Sequence, residues 1–250
     1  MAAVPRILRP PMQLQQILFS QGFGTRRICA GLVEQGLVTV AGAPCDDPAA
    51  DFDPLGLRFT VQGVPWQYQE RAYLILHKPP GYECSARPGA WPSVLSLLPS
   101  PLRQRPQKGG ATGVQPVGRL DQDTTGLLLL SDDGAFIHRM TSPKHEVPKV
   151  YEVTTSDAIG EDVPRRLLEG VLLDGERSPV RAAACEITAP AQLRLVLTQG
   201  KYHQVKRMLA ACGHRVTGLH RSRIGGLALP DDLARGHWRW LRTDEMALLG

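Results

Sequence analysis

The chain has 250 residues, of which 42% are apolar and 21% charged, with a formal net charge of +5. This composition is that of an ordinary globular protein, and no run approaches the roughly 18 apolar residues a membrane-spanning helix needs. The N-terminus MAAVPRILRPPMQ lacks a continuous apolar core, so no secretory signal is expected and a cytoplasmic location follows.

Five cysteines, at 29, 45, 84, 185 and 212, are odd in number and never spaced Cys-x-x-Cys, which argues against a disulfide framework and a zinc ribbon. His203, His214 and His220 match no helical metal motif and lie among basic residues, so no metal site is expected. The positive charge points to a polyanionic partner.

In chain order, Leu14, Ile17 and Leu18 predict one helical face. Thr25 then reads as the cap of a second helix whose buried side is Ile28, Leu32 and Val33. Arg26 and Arg27 at its start suit phosphate contacts, or are solvated surface charges. LVTVAGAPC and LRFTVQG follow as short strands. This unit has too little apolar material to be an enzyme by itself.

RAYLILHKPPGYECS reads as a strand stopped by Pro79, Pro80 and Gly81, and opens a larger domain. The stretch from Pro101 to Gly113, with Arg103, Arg105 and Lys108, offers little that packs, and a mobile segment is expected. VGRLDQDTTGLLLLSDDG comes next, placing Asp121 at the mouth of a core strand. Taken alone, Asp121 reads equally as a turn residue or as a carboxylate held for chemistry. A helix after Gly134, the alternating strand KVYEVTT, a helix across PRRLLEG, strands at AAACEIT and LRLVLT, and a helix at HQVKRMLAAC complete the pattern. Strands outnumber helices without regular alternation. The expected fold class is α+β, a mixed, mainly antiparallel sheet with flanking helices, preceded by a small α/β N-terminal domain. The domains are expected over 10–65 and 70–247.

On the helix from His203, Val205, Met208, Leu209 and Cys212 form an apolar stripe, with Lys206 at its edge and Arg207 nearly opposite. Lys206 can reach a cleft and pair with Asp121, leaving Arg207 for phosphate, or both are surface charges on an amphipathic helix. Tyr151, beside Lys144, His145 and Lys149, is a core tyrosine or a base-stacking one. GLHRSRIGGLAL adds His220, Arg221 and Arg223 before two glycines.

GRLDQDTTGLLLLSDDG, SPKHEVPKVYEV, GKYHQVKRMLAACG and LHRSRIGG, in this order, resemble the successive motifs of the RsuA-type ribosomal RNA pseudouridine synthases, over roughly residues 70 to 245. The N-terminal unit is similar to the RNA-binding module named after ribosomal protein S-four, with Met12, Gln13 and Leu14 replacing its usual Arg-Leu-Asp start. The resemblance implies a uridine isomerase with Asp121 as the essential carboxylate, acting by attack or by removal of a ribose proton. Tyr151 would lie against the uracil, and Lys206 would pair with Asp121. It further implies RNA contacts from Arg26, Arg27, Lys78, Arg119, Lys149, Tyr202, His203, Gln204, Arg207, Arg221 and Arg223.

No cofactor is implied, and the expected partner is ribosomal RNA or an assembling subunit, met by a monomer without a membrane. KYHQVKRM and LHRSRIGG most resemble the small-subunit branch, with a large-subunit substrate the near alternative. A non-catalytic RNA-binding assembly factor is a different class of reading. A glycoside hydrolase would need a second acid, for which Asp123 is the close candidate.

Overall fold

The computed structural model describes residues 10–107 and 113–250; Lys108 and residues 1–9 lie outside them. The chain divides into two units, one gathering residues up to Ala72 with Leu98–Val114, the other Tyr73–Leu97 with Gln115–Gly250.

In the first unit β1 (Met12–Gln13) leads directly into α1 (Leu14–Gln21) and then α2 (Arg26–Glu34). Leu14, Ile17 and Leu18 are fully buried, as their spacing predicts. Thr25 caps α2 by accepting a hydrogen bond from the Ile28 amide at 3.3 Å. The buried side of α2 differs from expectation: Cys29 and Val33 point into the core, whereas Ile28 is 53% exposed. Cys29 and Val33 are an i, i+4 pair, and Ile28 lies about 100° round the helix from Cys29. The strands β2 (Val38–Val40), β3 (Ala43–Pro44), β4 (Asp51–Phe52), β5 (Arg58–Val61) and β6 (Val64–Gln67) follow, and four of them form an antiparallel sheet in the order β3-β2-β5-β6. β4 pairs with β1.

The segment expected to lack packing is in part well packed. It carries α3 (Ser100–Gln104), with Leu102 buried and Arg105 only 2% exposed. The Arg105 guanidinium donates to Gln21 Oε1 at 2.9 Å, Gln69 O at 2.8 Å and Glu70 O at 3.2 Å. A fork of donors thus does what apolar side chains were expected to do, because buried carbonyls need partners as much as apolar surface needs covering. Gly22 makes the approach of this segment possible: at φ +90°, any Cβ there would sit 2.1 Å from Pro101 O.

The second unit contains β7 (Tyr73–Lys78), β8 (Gln115–Val117), β9 (Thr125–Ser131), β10 (Lys149–Thr155), β11 (Ala184–Ala189), β12 (Gln192–Leu197), β13 (Val216–Ile224), β14 (Leu227–Ala228) and β15 (Trp238–Trp240). They order as β11-β12-β10-β13-β9-β7-β15, with β14 on β13 and β8 on β9. Among the described residues β13 with β9 is the parallel pairing, and the other strand pairs are antiparallel. The helices are α4 (Gly134–Thr141), α5 (Val163–Glu169), α6 (Gln204–Ala211) and α7 (Thr243–Ala247). The fold is therefore α+β with a mainly antiparallel sheet.

One core gathers Val153, Leu167, Leu193, Leu195, Met208 and Leu209; another gathers Ile75, Leu127, Leu129, Phe136 and Ile224. β13 was legible only as a basic segment, since its polar residues mask a strand of nine. Strand β9 forks the sheet. Its first two residues pair with β13 and its last three with β8, and a cavity opens at the fork between Val117, Leu129 and Ile224. No described helix is long and apolar enough to cross a membrane.

Candidate active site

A single row across the sheet sets out the site. Lys78 of β7 lies opposite Gly126 of β9, Gly126 opposite Arg221 of β13, and Arg221 opposite Tyr151 of β10. Residues directly opposite one another share a face, so Lys78, Arg221 and Tyr151 look toward the same side. The row closes up at Gly126, where φ is +110° and a Cβ would come within 2.3 Å of Arg221 O. Only glycine admits so close a backbone.

The loop before β9 carries Asp121 onto this face. Lys78, 0% exposed, grips that loop from beneath, donating to Gln122 O at 3.0 Å, Thr124 O at 2.9 Å and Pro79 O at 3.1 Å. Burial pushes the Lys78 ammonium below its ordinary value, while nearby Cys84, Asp123 and Asp121 oppose that push. The Leu120 amide donates to Cys84 Sγ at 3.4 Å, and burial pushes this thiol up.

From the other side α6 brings up its first turn. Lys206 Nζ stands 3.3 Å from Asp121 Oδ2, and His203 Nε2 stands 3.5 Å from Asp121 Oδ1. The shortest bonds of Lys206 go to Asp123, at 2.7 and 2.8 Å. Desolvation pushes the Asp123 carboxyl up, but the hydrogen bond and charge of Lys206 outweigh it and hold the group below its ordinary value. Desolvation likewise lowers Lys206, and the two carboxylates more than reverse it. One lysine thus holds two carboxylates, a geometry the expected Lys206–Asp121 pair did not include. The i, i+2 spacing of Asp121 and Asp123 on one short loop was the available signal.

The cavity at the fork is about 380 Å³, and Asp121, Lys149, Tyr151, Tyr202, His203 and Arg221 line it with an apolar floor. Residues 72–211 match the family model described as RNA pseudouridylate synthase, and residues 12–54 match the S4 domain model. The chain is 39% identical over 240 residues to the "Ribosomal small subunit pseudouridine synthase A" of Yersinia pestis, covering 96% of this chain and 98% of that protein. It is 42% identical over 241 residues to the protein of the same name from Salmonella typhimurium, covering 96% and 100%. A crystal structure of a pseudouridylate synthase superposes with a TM-score of 0.66 at 33% identity, over 96% of this chain and 100% of that one. The chain belongs to the RNA pseudouridylate synthase family.

Several residues that the sequence marked for RNA have other work in this pseudouridylate synthase. Lys78, expected at the RNA, is instead fully buried with its three donors spent on backbone carbonyls. Gln204 is buried, accepting from the Lys201 amide at 2.9 Å and facing Met208 Sδ at 3.8 Å, so it shapes the loop. Arg207 is not left free for phosphate: it donates to Tyr202 O at 3.2 Å and to Asp174 O, and pairs with Glu176 at 3.7 Å. Arg221 is 3% exposed and donates from Nε to Leu127 O at 2.8 Å, which makes it part of the cavity wall rather than a surface contact.

Arg223 lies on the reverse face, in a groove with His77, Val150 and Glu152. Two residues apart on a strand, Arg221 and Arg223 should share a face. A bulge at Ser222 separates them, because Tyr151 opposes Arg221 while Val150 already opposes Arg223. Arg119 is exposed at the cavity and Lys149 is half-buried there, with burial pushing its ammonium down. Arg26 and Arg27 are exposed on α2, and Arg26 lies over the Phe19 ring at 5.3 Å.

Proposed function

We propose that this enzyme converts a specific uridine of small-subunit ribosomal RNA into pseudouridine, with Asp121 as the catalytic carboxylate. The observation that carries the reading is the position of Asp121, at a nucleotide-sized cavity, between Lys206 at 3.3 Å and His203 at 3.5 Å, with Tyr151 in the same wall. The names of the similar Yersinia and Salmonella proteins support the small-subunit substrate.

In the reaction the bond from ribose to the ring nitrogen breaks, the base turns, and a bond from ribose to the fifth ring carbon forms. The proton on that carbon leaves and the freed nitrogen gains one, so nothing is oxidised and no donor group is consumed. Asp121 acts on the uridine, and Tyr151 lies against the uracil and assists loss of the proton. A paired uridine is extruded to reach the cavity. Arg119 and Lys149 meet the deformed strand there, while Arg26 and Arg27 of the S4 domain meet phosphates elsewhere on the RNA. Residues 10–65 serve as the RNA-docking domain and 70–247 as the catalytic one, apart from Leu98–Val114, which packs with the first unit.

Mapping pseudouridine in both ribosomal RNAs, with and without this protein, tests the assignment. One small-subunit position should lose its modification in the deletion strain. Loss confined to the large subunit would reassign the substrate, and loss at neither would refute the reading.

A further inference from the structure

Tyr202 presents a large aromatic ring to solvent. It is 71% exposed at the cavity mouth, and its hydroxyl makes no hydrogen bond among the described residues. Its ring lies on the His203 imidazole, with centroids 3.8 Å apart and planes 21° from parallel. The loop beneath is nonetheless held firmly. His203 has φ +48°, a left-handed conformation that few non-glycine residues adopt. The Lys201 amide is bound by Gln204 at 2.9 Å, Lys201 Nζ by Glu176 at 2.7 Å, and the Tyr202 carbonyl by Arg207 at 3.2 Å. An exposed aromatic ring on a pinned loop has its ordering cost met before any ligand arrives.

We propose that Tyr202, backed by His203, is a stacking platform for the base of a nucleotide next to the target uridine. The proposal rests on the functional reading above and adds a subsite to it. The covered face of Tyr202 is the one toward His203, and His203 is the residue that reaches Asp121. A base on the open face is therefore separated from Asp121 by both rings, so it is a neighbour of the reacting uridine. The surroundings suit RNA: Arg119 is exposed beside the same cavity, and stacking on an aromatic ring tolerates any base.

The test uses the full chain and a deproteinised transcript of small-subunit ribosomal RNA, with kcat and KM measured separately. Tyr202→Leu should raise KM roughly tenfold and leave kcat within about twofold, and Tyr202→Phe should stay near wild type. A transcript with an abasic residue beside the uridine should bind the wild type and Tyr202→Leu equally, since the platform then has nothing to hold. An unchanged KM in Tyr202→Leu, a loss confined to kcat, or a loss seen only with ribosomal particles would overturn the proposal, the last by making Tyr202 a protein contact. Fluorescence anisotropy with the same transcript reads the platform independently of turnover. A wild type that binds but forms no pseudouridine would sink the functional reading alone.

Discussion

Two carboxylates of the catalytic unit are treated in opposite ways. Glu245 of α7 is 4% exposed and saturated: Arg239 closes on both its oxygens at 2.7 and 2.8 Å, and the Arg242 amide donates at 2.9 Å. The hydrogen bonds from Arg239, outweighing a desolvation that pushes the other way, take its carboxyl down to about 2. Asp121 is left short. Lys206 and His203 stand at 3.3 and 3.5 Å from it, and the better bonds of Lys206 go to Asp123. The carboxylate that holds the fold together is fully bonded, whereas the one that lines the cavity keeps acceptor capacity in reserve.

The sharpest way to break this contrast is Asp121→Asn, which keeps shape and removes charge. Release of hydrogen from the fifth carbon of uridine should fall by at least about 10³-fold. RNA affinity should stay within a few fold, and the thermal midpoint should move by no more than about 3 °C. Undiminished release would take Asp121 out of the chemistry.

Glu245→Gln should do the reverse, lowering unfolding free energy by about 2–3 kcal/mol at neutral pH while kcat at moderate temperature is unchanged. The folded-state value of Glu245 lies below its unfolded one, so the stabilisation is complete above about pH 4.5 and is lost as pH falls toward about 2. Denaturant curves of the two proteins should converge over that window. A constant gap would show that charge is not the cause.

Lys206→Met sharpens the comparison from the cation's side. Its ion pairs are partly exposed, so stability should change by no more than about 1 kcal/mol. Turnover should drop roughly 10²-fold, as expected when a single electrostatic partner at a reacting centre is lost. The Asp123 carboxyl should titrate at higher pH in the variant, because Lys206 is what holds it down. A carbon-detected NMR titration would read this directly, and an unmoved midpoint would show that Lys206 does not govern the loop.

Much of the site could be read from spacing. Asp121 precedes an apolar run that is indeed a buried strand, Tyr151 falls in an alternating strand, and Val205, Met208, Leu209 and Cys212 are buried on α6 as their stripe predicts. For Lys78, which the resemblance implied as an RNA contact, the burial comes from distant partners. Its acceptors include a carbonyl 46 residues away, which no local pattern reports. Arg105 misled for the same reason, its Gln21 partner lying 84 residues back. The bulge that parts Arg221 from Arg223 depends on how β13 meets β10, and neither strand encodes it alone.

The sequence by itself determined most of the elements, the buried faces of α1, β9 and α6, and the ordered motifs that mark the family, because periodicity and capping depend on neighbours within a few residues. Tertiary structure decided which cation meets which carboxylate. Lys206 spans 83 residues to bind Asp123 more closely than Asp121, and His203 takes the other oxygen of Asp121. Such choices rest on differences of under 1 Å between side chains distant in sequence, and only the packing of α6 against the sheet sets those distances.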